Sequence, residues 1–249
     1  MAIDALFRRW RMPMALVPLG LVLVLTWLAV GVHVHGWVTA FDAPTASWIG
    51  DSVHRSQGLH EALLITARLG NPLTVAAAAV IGGAVLAWRA SSVRPGVVVV
   101  GTVAGAVLAN TAIRAVIYRP LTEAEIRALP RFSTAHHPFP SGHVAGIGAL
   151  LGIIAACIVV GRGRIVQALA TASVIAGVVV VALSRLGLGA HWLSDVIGGA
   201  LLAGVFMSLG SLALVARPDQ SVSASVDVLP HESTGLDDRR DMSTPCEPQ

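Results

Sequence analysis

Charge is what this chain has least of. Only 12% of its 249 residues are Asp, Glu, Lys or Arg, about half the share usual in a soluble domain, and this excludes an ordinary cytosolic protein. Lysine is absent. All 17 basic residues are arginine, and against 14 Asp plus Glu they leave a net charge of +3 with histidines neutral. The surplus is modest and spread along the chain rather than gathered into one basic face, which does not suggest a nucleic-acid binder. Cysteine is nearly missing too: Cys157 lies in an apolar run and Cys246 near the C-terminus, so neither a disulfide framework nor a cysteine metal cluster is possible. No repeat at a solenoid period occurs. His33, His35, His54, His60, His136, His137 and His231 show no metal-ligand spacing with carboxylates or cysteines and read as interfacial or loop residues.

What the chain has in excess is uninterrupted apolar sequence. Six stretches, 12–41, 69–88, 95–113, 144–161, 165–184 and 196–216, contain no charged residue. Each after the first has the length that crosses a hydrocarbon layer of about 30 Å at about 1.5 Å per residue. The first is longer than needed, which places its span at about 13–32, before a polar turn from His33 to Asp42. Arg8, Arg9 and Arg11 precede it as they would a secretory signal, but the apolar run is too long and no clear small-residue cleavage site follows. It reads as a retained helix. The expectation is an all-α fold, a bundle of six transmembrane helices over 13–217. A cytoplasmic N-terminus at 1–12 precedes it, and 218–249, rich in Ser, Asp, Pro and Glu, follows as a disordered cytoplasmic tail.

Arginine placement predicts the orientation, because short cytoplasmic loops hold arginine. Arg8, Arg9 and Arg11, then Arg89 and Arg94, then Arg162 and Arg164, then Arg217 occupy alternate, short connections. Those are expected inside, with both termini. The longer connections 33–68, 114–143 and 185–195 would face outward. In the second of these, Thr122-Glu123-Ala124-Glu125 reads as a capping box opening a short helix to about Leu129, which gives the two glutamates a structural role in preference to a metal-binding one. Arg127 and Arg131 read as its solvated face.

Three polar clusters interrupt the apolar pattern, all at span ends on the expected outer side: Arg114 with Tyr118-Arg119-Pro120, then Pro140-Ser141-Gly142-His143, then Ser184-Arg185 with His191 and Asp195. Ser141 stands where a helix N-cap would, and the N–H groups after it would be left to bind an anion, with Gly142 allowing close approach and His143 supplying a proton. A plain cap beside an interfacial histidine is the simpler alternative. His191 and Asp195 are four apart, on one helix face if the helix has begun by then. Asp195 could hold one ring N–H and leave the other nitrogen nucleophilic, or the two could form a structural ion pair. Arg114, Arg119 and Arg185 offer planar forks for phosphate oxygens, where single interfacial arginines would only meet lipid head groups.

These residues resemble the type 2 phosphatidic acid phosphatase family of membrane lipid phosphatases, which shares a catalytic core with soluble acid phosphatases and vanadium haloperoxidases. The family's second motif, P-S-G-H, is intact at 140–143, and its third, S-R-x5-H-x3-D, is matched by Ser184, Arg185, His191 and Asp195. The first, K-x6-R-P, departs: Ala112 stands at the lysine position before Arg119-Pro120. The resemblance spans roughly 60–216. It implies that His191 attacks phosphorus to form a phosphohistidine, Asp195 fixes its tautomer and His143 protonates the leaving group. Arg114, Arg119, Ser141, Gly142 and Arg185 would hold the phosphate. No metal or other cofactor is implied. The substrate would be a bilayer lipid phosphate: a polyprenyl diphosphate, phosphatidate or phosphatidylglycerol phosphate. An outward-facing site in the plasma membrane favours the polyprenyl carrier. A non-hydrolytic lipid-phosphate binder or transporter, or a phosphotransferase with the same site, is the alternative.

Overall fold

Within hydrocarbon a backbone N–H or C=O must find its partner in its own segment, so apolar runs of this length fold as helices. The computed structural model describes residues 2–117, 119 and 139–216. Among the described residues every regular element is helical: α1 (Ala2–His33), a 3-10 turn (Trp37–Thr39), α2 (Asp42–His54), α3 (Gln57–Leu69), α4 (Pro72–Arg89), α5 (Arg94–Val116), α6 (Gly142–Val159), α7 (Arg164–Gly187) and α8 (Leu193–Val215). Six carry windows long and apolar enough to cross a membrane, at Ala15–His33 and along α4 to α8. Their ends fall within three residues of the expected spans. The signals that stop them are local. Asn71 accepts the Leu73 N–H at 2.9 Å ahead of Pro72, at the first position of α4, and Gly189 adopts φ +62° just beyond α7, the left-handed turn that ends many helices.

The connection 33–68 is not a loop. The turn, α2 and α3 fill it, with Ser56 capping α3 through the Leu59 N–H at 3.3 Å. Charge-free length does not mark these helices, since both carry charge and neither is long enough to cross. They pack on α7, and α2 also reaches α8. The capping box at 122–125, Arg127, Arg131, Tyr118, His136, His137 and the tail at 218–249 lie outside the described residues.

Helix α8 is the centre of the bundle, packed against α1, α5 and α6. Small residues let it approach closely, as is common where helices associate without a hydrophobic drive. A Cβ on Gly199 would lie 2.6 Å from the Ser141 carbonyl oxygen. The surface turned away from the bundle is apolar, with Leu169, Ile175 and Val179 of α7 all exposed, as a lipid-facing helix requires.

Candidate active site

The three polar clusters meet at one end of the bundle. There α6 and α8 begin while α5 and α7 finish. The Ser141 N–H donates to the Asp195 carbonyl at 2.9 Å, joining the starts of α6 and α8, and the His191 N–H donates to the Arg185 carbonyl at 3.3 Å, folding the loop onto the end of α7. A Cβ on Gly142 would lie 3.8 Å from a terminal nitrogen of Arg114, so the last turn of α5 stands over the start of α6. At the opposite end Arg94 donates to the Ala213 carbonyl at 2.7 Å, and the short connections there carry Arg89, Arg94, Arg162 and Arg164.

Helix α8 starts at Leu193 after its N-cap, Trp192. His191 therefore precedes the helix, and its four-residue spacing from Asp195 works through a cap where a shared helix face was expected. Asp195 stands third in the helix and turns back. Its Oδ2 accepts the Trp192 N–H at 3.0 Å and lies 3.4 Å from His191 Nδ1, the return bond of a capping box. The carboxylate beside Nδ1 favours the neutral tautomer that carries its proton there. Burial pushes the His191 imidazole below its usual value. The bond to Asp195 and its charge oppose this, while Arg185 and Arg114 add to the lowering. A neutral imidazole is the form a nucleophile needs.

Behind Asp195 lies a buried ionic network that the sequence reading did not foresee. Arg119 donates from one terminal nitrogen to Ser194 Oγ at 2.8 Å and to Asp195 Oδ1 at 2.9 Å, and from the other to Asp42 Oδ2. Asp42 also accepts the Ser194 N–H at 2.8 Å and the Ser194 hydroxyl at 2.7 Å. The Arg119 guanidinium lies over the Trp192 ring at 5.4 Å. Arg119 was expected on the phosphate, and the structure directs both its terminal nitrogens to protein oxygens instead. The reason is electrostatic: two carboxylates with no exposed surface need a counter-charge between them.

Arg114 and Arg185 keep exposed surface, and so does His143. Arg114, Arg185 and His191 lie within electrostatic reach of His143, so both histidines and two arginines share one site. Ser141 occupies the N-cap position of α6, but its hydroxyl makes no cap bond and is fully buried. The earliest N–H groups of α6 therefore lack the side-chain acceptor expected of Ser141. Among the described residues Ser141 Oγ, Ser184 Oγ, Arg185 Nε and Asn110 Oδ1 are buried polar atoms with no hydrogen-bond partner. Buried polar atoms are nearly always satisfied, and these four gather where α5, α6 and α7 meet the site. Asn110 was missed because it sits inside an apolar run; its place one turn before Arg114 was the available signal. A wall comes from the α3–α4 corner, where a Cβ on Gly70 would lie 3.1 Å from His143 Cδ2. Among the described residues no group of three or more His, Cys, Asp or Glu could share a metal ion.

Comparison with known proteins agrees with this architecture. The family model described as PAP2 superfamily matches residues 68–218. Among solved structures, the chain is similar to a transmembrane PAP2-type phosphatidylglycerolphosphate phosphatase from Bacillus subtilis. The TM-score is 0.64 and the identity 23%, covering 78% of this chain and 94% of that one. No curated protein matches. The helix ends that carry the P-S-G-H and S-R-x5-H-x3-D residues fall inside the matched region, and the chain belongs to the PAP2 superfamily as an all-helical, multi-pass membrane protein.

Proposed function

We propose that this protein is a membrane lipid phosphatase that works through a phosphohistidine. The observation that carries the reading is the grouping of His191, backed at Nδ1 by Asp195, with His143, Arg114 and Arg185 at one end of the bundle. His191 Nε2 attacks phosphorus while the bond to the leaving oxygen breaks, and His143 delivers a proton to that oxygen. Water then attacks the phosphohistidine, with His143 as base, and releases inorganic phosphate and free His191. Arg114, Arg185 and the first N–H groups of α6 stabilise charge on the equatorial oxygens without a metal ion. Arg119 holds Asp195 and leaves the phosphate to the other two guanidinium groups.

A site at the end of a transmembrane bundle suits a substrate whose tails stay in the bilayer. Phosphatidylglycerol phosphate, phosphatidate and polyprenyl diphosphates all meet that description. The arginine-dense connections at the other end support an orientation with the site away from the cytoplasm, in a plasma membrane. The test is phosphate release by the purified protein in detergent with EDTA present, against a panel of those lipids. Release from at least one, lost in His191→Ala, is expected. Release from none, or undiminished release by His191→Ala, would refute the reading.

A further inference from the structure

The α2 helix begins with an acid that the proposed chemistry does not use. Asp42 lies outside the matched span 68–218, in the segment that carries none of the family motifs. Yet its carboxylate is fully buried and is separated by 152 residues from its partner Ser194. An acid buried at the edge of a membrane bundle is costly and ordinarily has a purpose. Oδ1 accepts the Ser194 N–H at 2.8 Å; Oδ2 accepts the Ser194 hydroxyl at 2.7 Å and one Arg119 nitrogen. These partners flank Asp195. Ser194 precedes it in the chain, and the other Arg119 nitrogen bridges Ser194 Oγ and Asp195 Oδ1.

We infer that Asp42 is a positioning residue of the site, fixing Asp195 and through it His191 by way of Arg119 and Ser194. This rests on the phosphatase reading above and assigns the N-terminal helices a part in it. Two physical effects combine. As an anchor at the start of α8, the carboxylate accepts one of the first helical N–H groups and favours the positive end of the helix dipole. As a charge, it shares Arg119 with Asp195. Without it, Arg119 loses one of the two carboxylates it bridges, more of its charge falls on Asp195, and that carboxylate then grips the His191 Nδ1–H less strongly. Asp42 has no contact with Arg114, Arg185 or His143 among the described hydrogen bonds and ion pairs, so substrate capture is untouched. Its loss slows the chemical step alone.

A purely structural tie between α2 and α8 makes a different prediction, and Asp42→Asn separates the two because it keeps shape while removing charge. The assay uses the full chain in detergent and whichever lipid phosphate the wild type hydrolyses. The expected result is kcat lower by about tenfold to a hundredfold, the range a misplaced catalytic group produces, with KM within twofold and an unchanged folded fraction by size exclusion. A kcat within threefold of wild type overturns the inference, as does a loss that merely follows the folded fraction or appears in KM alone. If Asp42→Asn does not fold, Ser194→Ala carries the test, since it removes the hydroxyl bridge and keeps the Asp42–Arg119 pair. A severalfold fall in kcat at constant KM is then expected, and an unchanged kcat refutes the role. A wild type that releases phosphate from no lipid refutes the phosphatase reading itself, a result distinct from an active wild type with indifferent variants.

Discussion

Arg119→Met is the most direct probe of the buried network. Methionine keeps much of the side-chain volume and removes the charge that sits between Asp42 and Asp195, both with no exposed side-chain surface. Breaking a buried pair by deleting one partner costs about 3–5 kcal/mol, because the remaining charge is stranded. For a chain of this size that corresponds to a fall of roughly 6–20 °C in the unfolding midpoint. The pH dependence is more diagnostic than the size. Burial pushes the Asp42 carboxyl above its ordinary value of 3.8, and the Arg119 charge is the largest influence pulling it back. The folded state thus binds that proton more tightly than the unfolded chain, so stability is gained as pH falls between the folded and unfolded values. Removing Arg119 raises the folded value further and extends the interval to higher pH. The midpoint deficit of Arg119→Met, followed by tryptophan fluorescence in detergent, should be larger at pH 8 than at pH 5. A deficit equivalent to less than about 1 kcal/mol would place the pair among the weak surface bridges, and an equal deficit at both pH values would show that Asp42 is not the stranded charge; either result would refute the reasoning.

Three further tests reach other parts of the molecule. Because burial holds His191 below the usual 6.5 and the nucleophile acts neutral, the acid limb of kcat/KM should fall below pH 6.5; a limb above that value would contradict the assignment of His191. A Cβ on Gly199 would sit 2.6 Å from the Ser141 carbonyl and 3.3 Å from the Ala145 nitrogen, backbone atoms that cannot step aside, so Gly199→Ala should cost roughly 1–3 kcal/mol and lower activity, and a wild-type midpoint would show that the two helix starts are not in contact. Ile175, exposed on α7, should face lipid, so Ile175→Arg should add roughly 3 kcal/mol to the cost of insertion and sharply reduce membrane-fraction yield, whereas a yield equal to wild type would argue against that face being in hydrocarbon.

The spans were legible because a transmembrane helix is written in one variable, the absence of charge over a fixed length, and that variable survives any tertiary arrangement. The grouping of His143, Arg185, His191 and Asp195 was legible for a related reason, since alternating spans return every second end to the same side. What was not legible was set by contacts between distant residues. Asp42 looked like the last polar residue of a turn, and nothing near it in sequence announces a partner 152 positions away. Arg119 looked like a phosphate ligand because arginine beside proline at a span end is compatible with that role; only the placement of two carboxylates decides otherwise. Ser194, between a leucine and an aspartate, carried no signal at all. Helices α2 and α3 were missed because their residues mix charged and apolar positions over lengths too short to span a bilayer.

The separation of charge across His191 gives these observations a common sense. On the Nδ1 side, Asp42, Arg119 and Asp195 sum to −1 when ionised; within electrostatic reach of the imidazole stand Arg114 and Arg185, which sum to +2. Had Arg119 joined the other two arginines, they would have summed to +3 and Asp195 would have stood without a counter-charge in the interior. Burial keeps the His191 imidazole toward its neutral form against the pull of Asp195. In the proposed phosphoryl transfer, positive charge developing on it would meet a net negative group, while the phosphate oxygens would meet net positive ones. Field of that kind costs no reorganisation at the moment of reaction, provided its charges are already fixed. In the proposed role, that fixing comes from the hydrogen bonds of Ser194 and the buried carboxylate of Asp42, so that the start of α2 would hold the electrostatics of a site whose chemical groups all lie elsewhere in the chain.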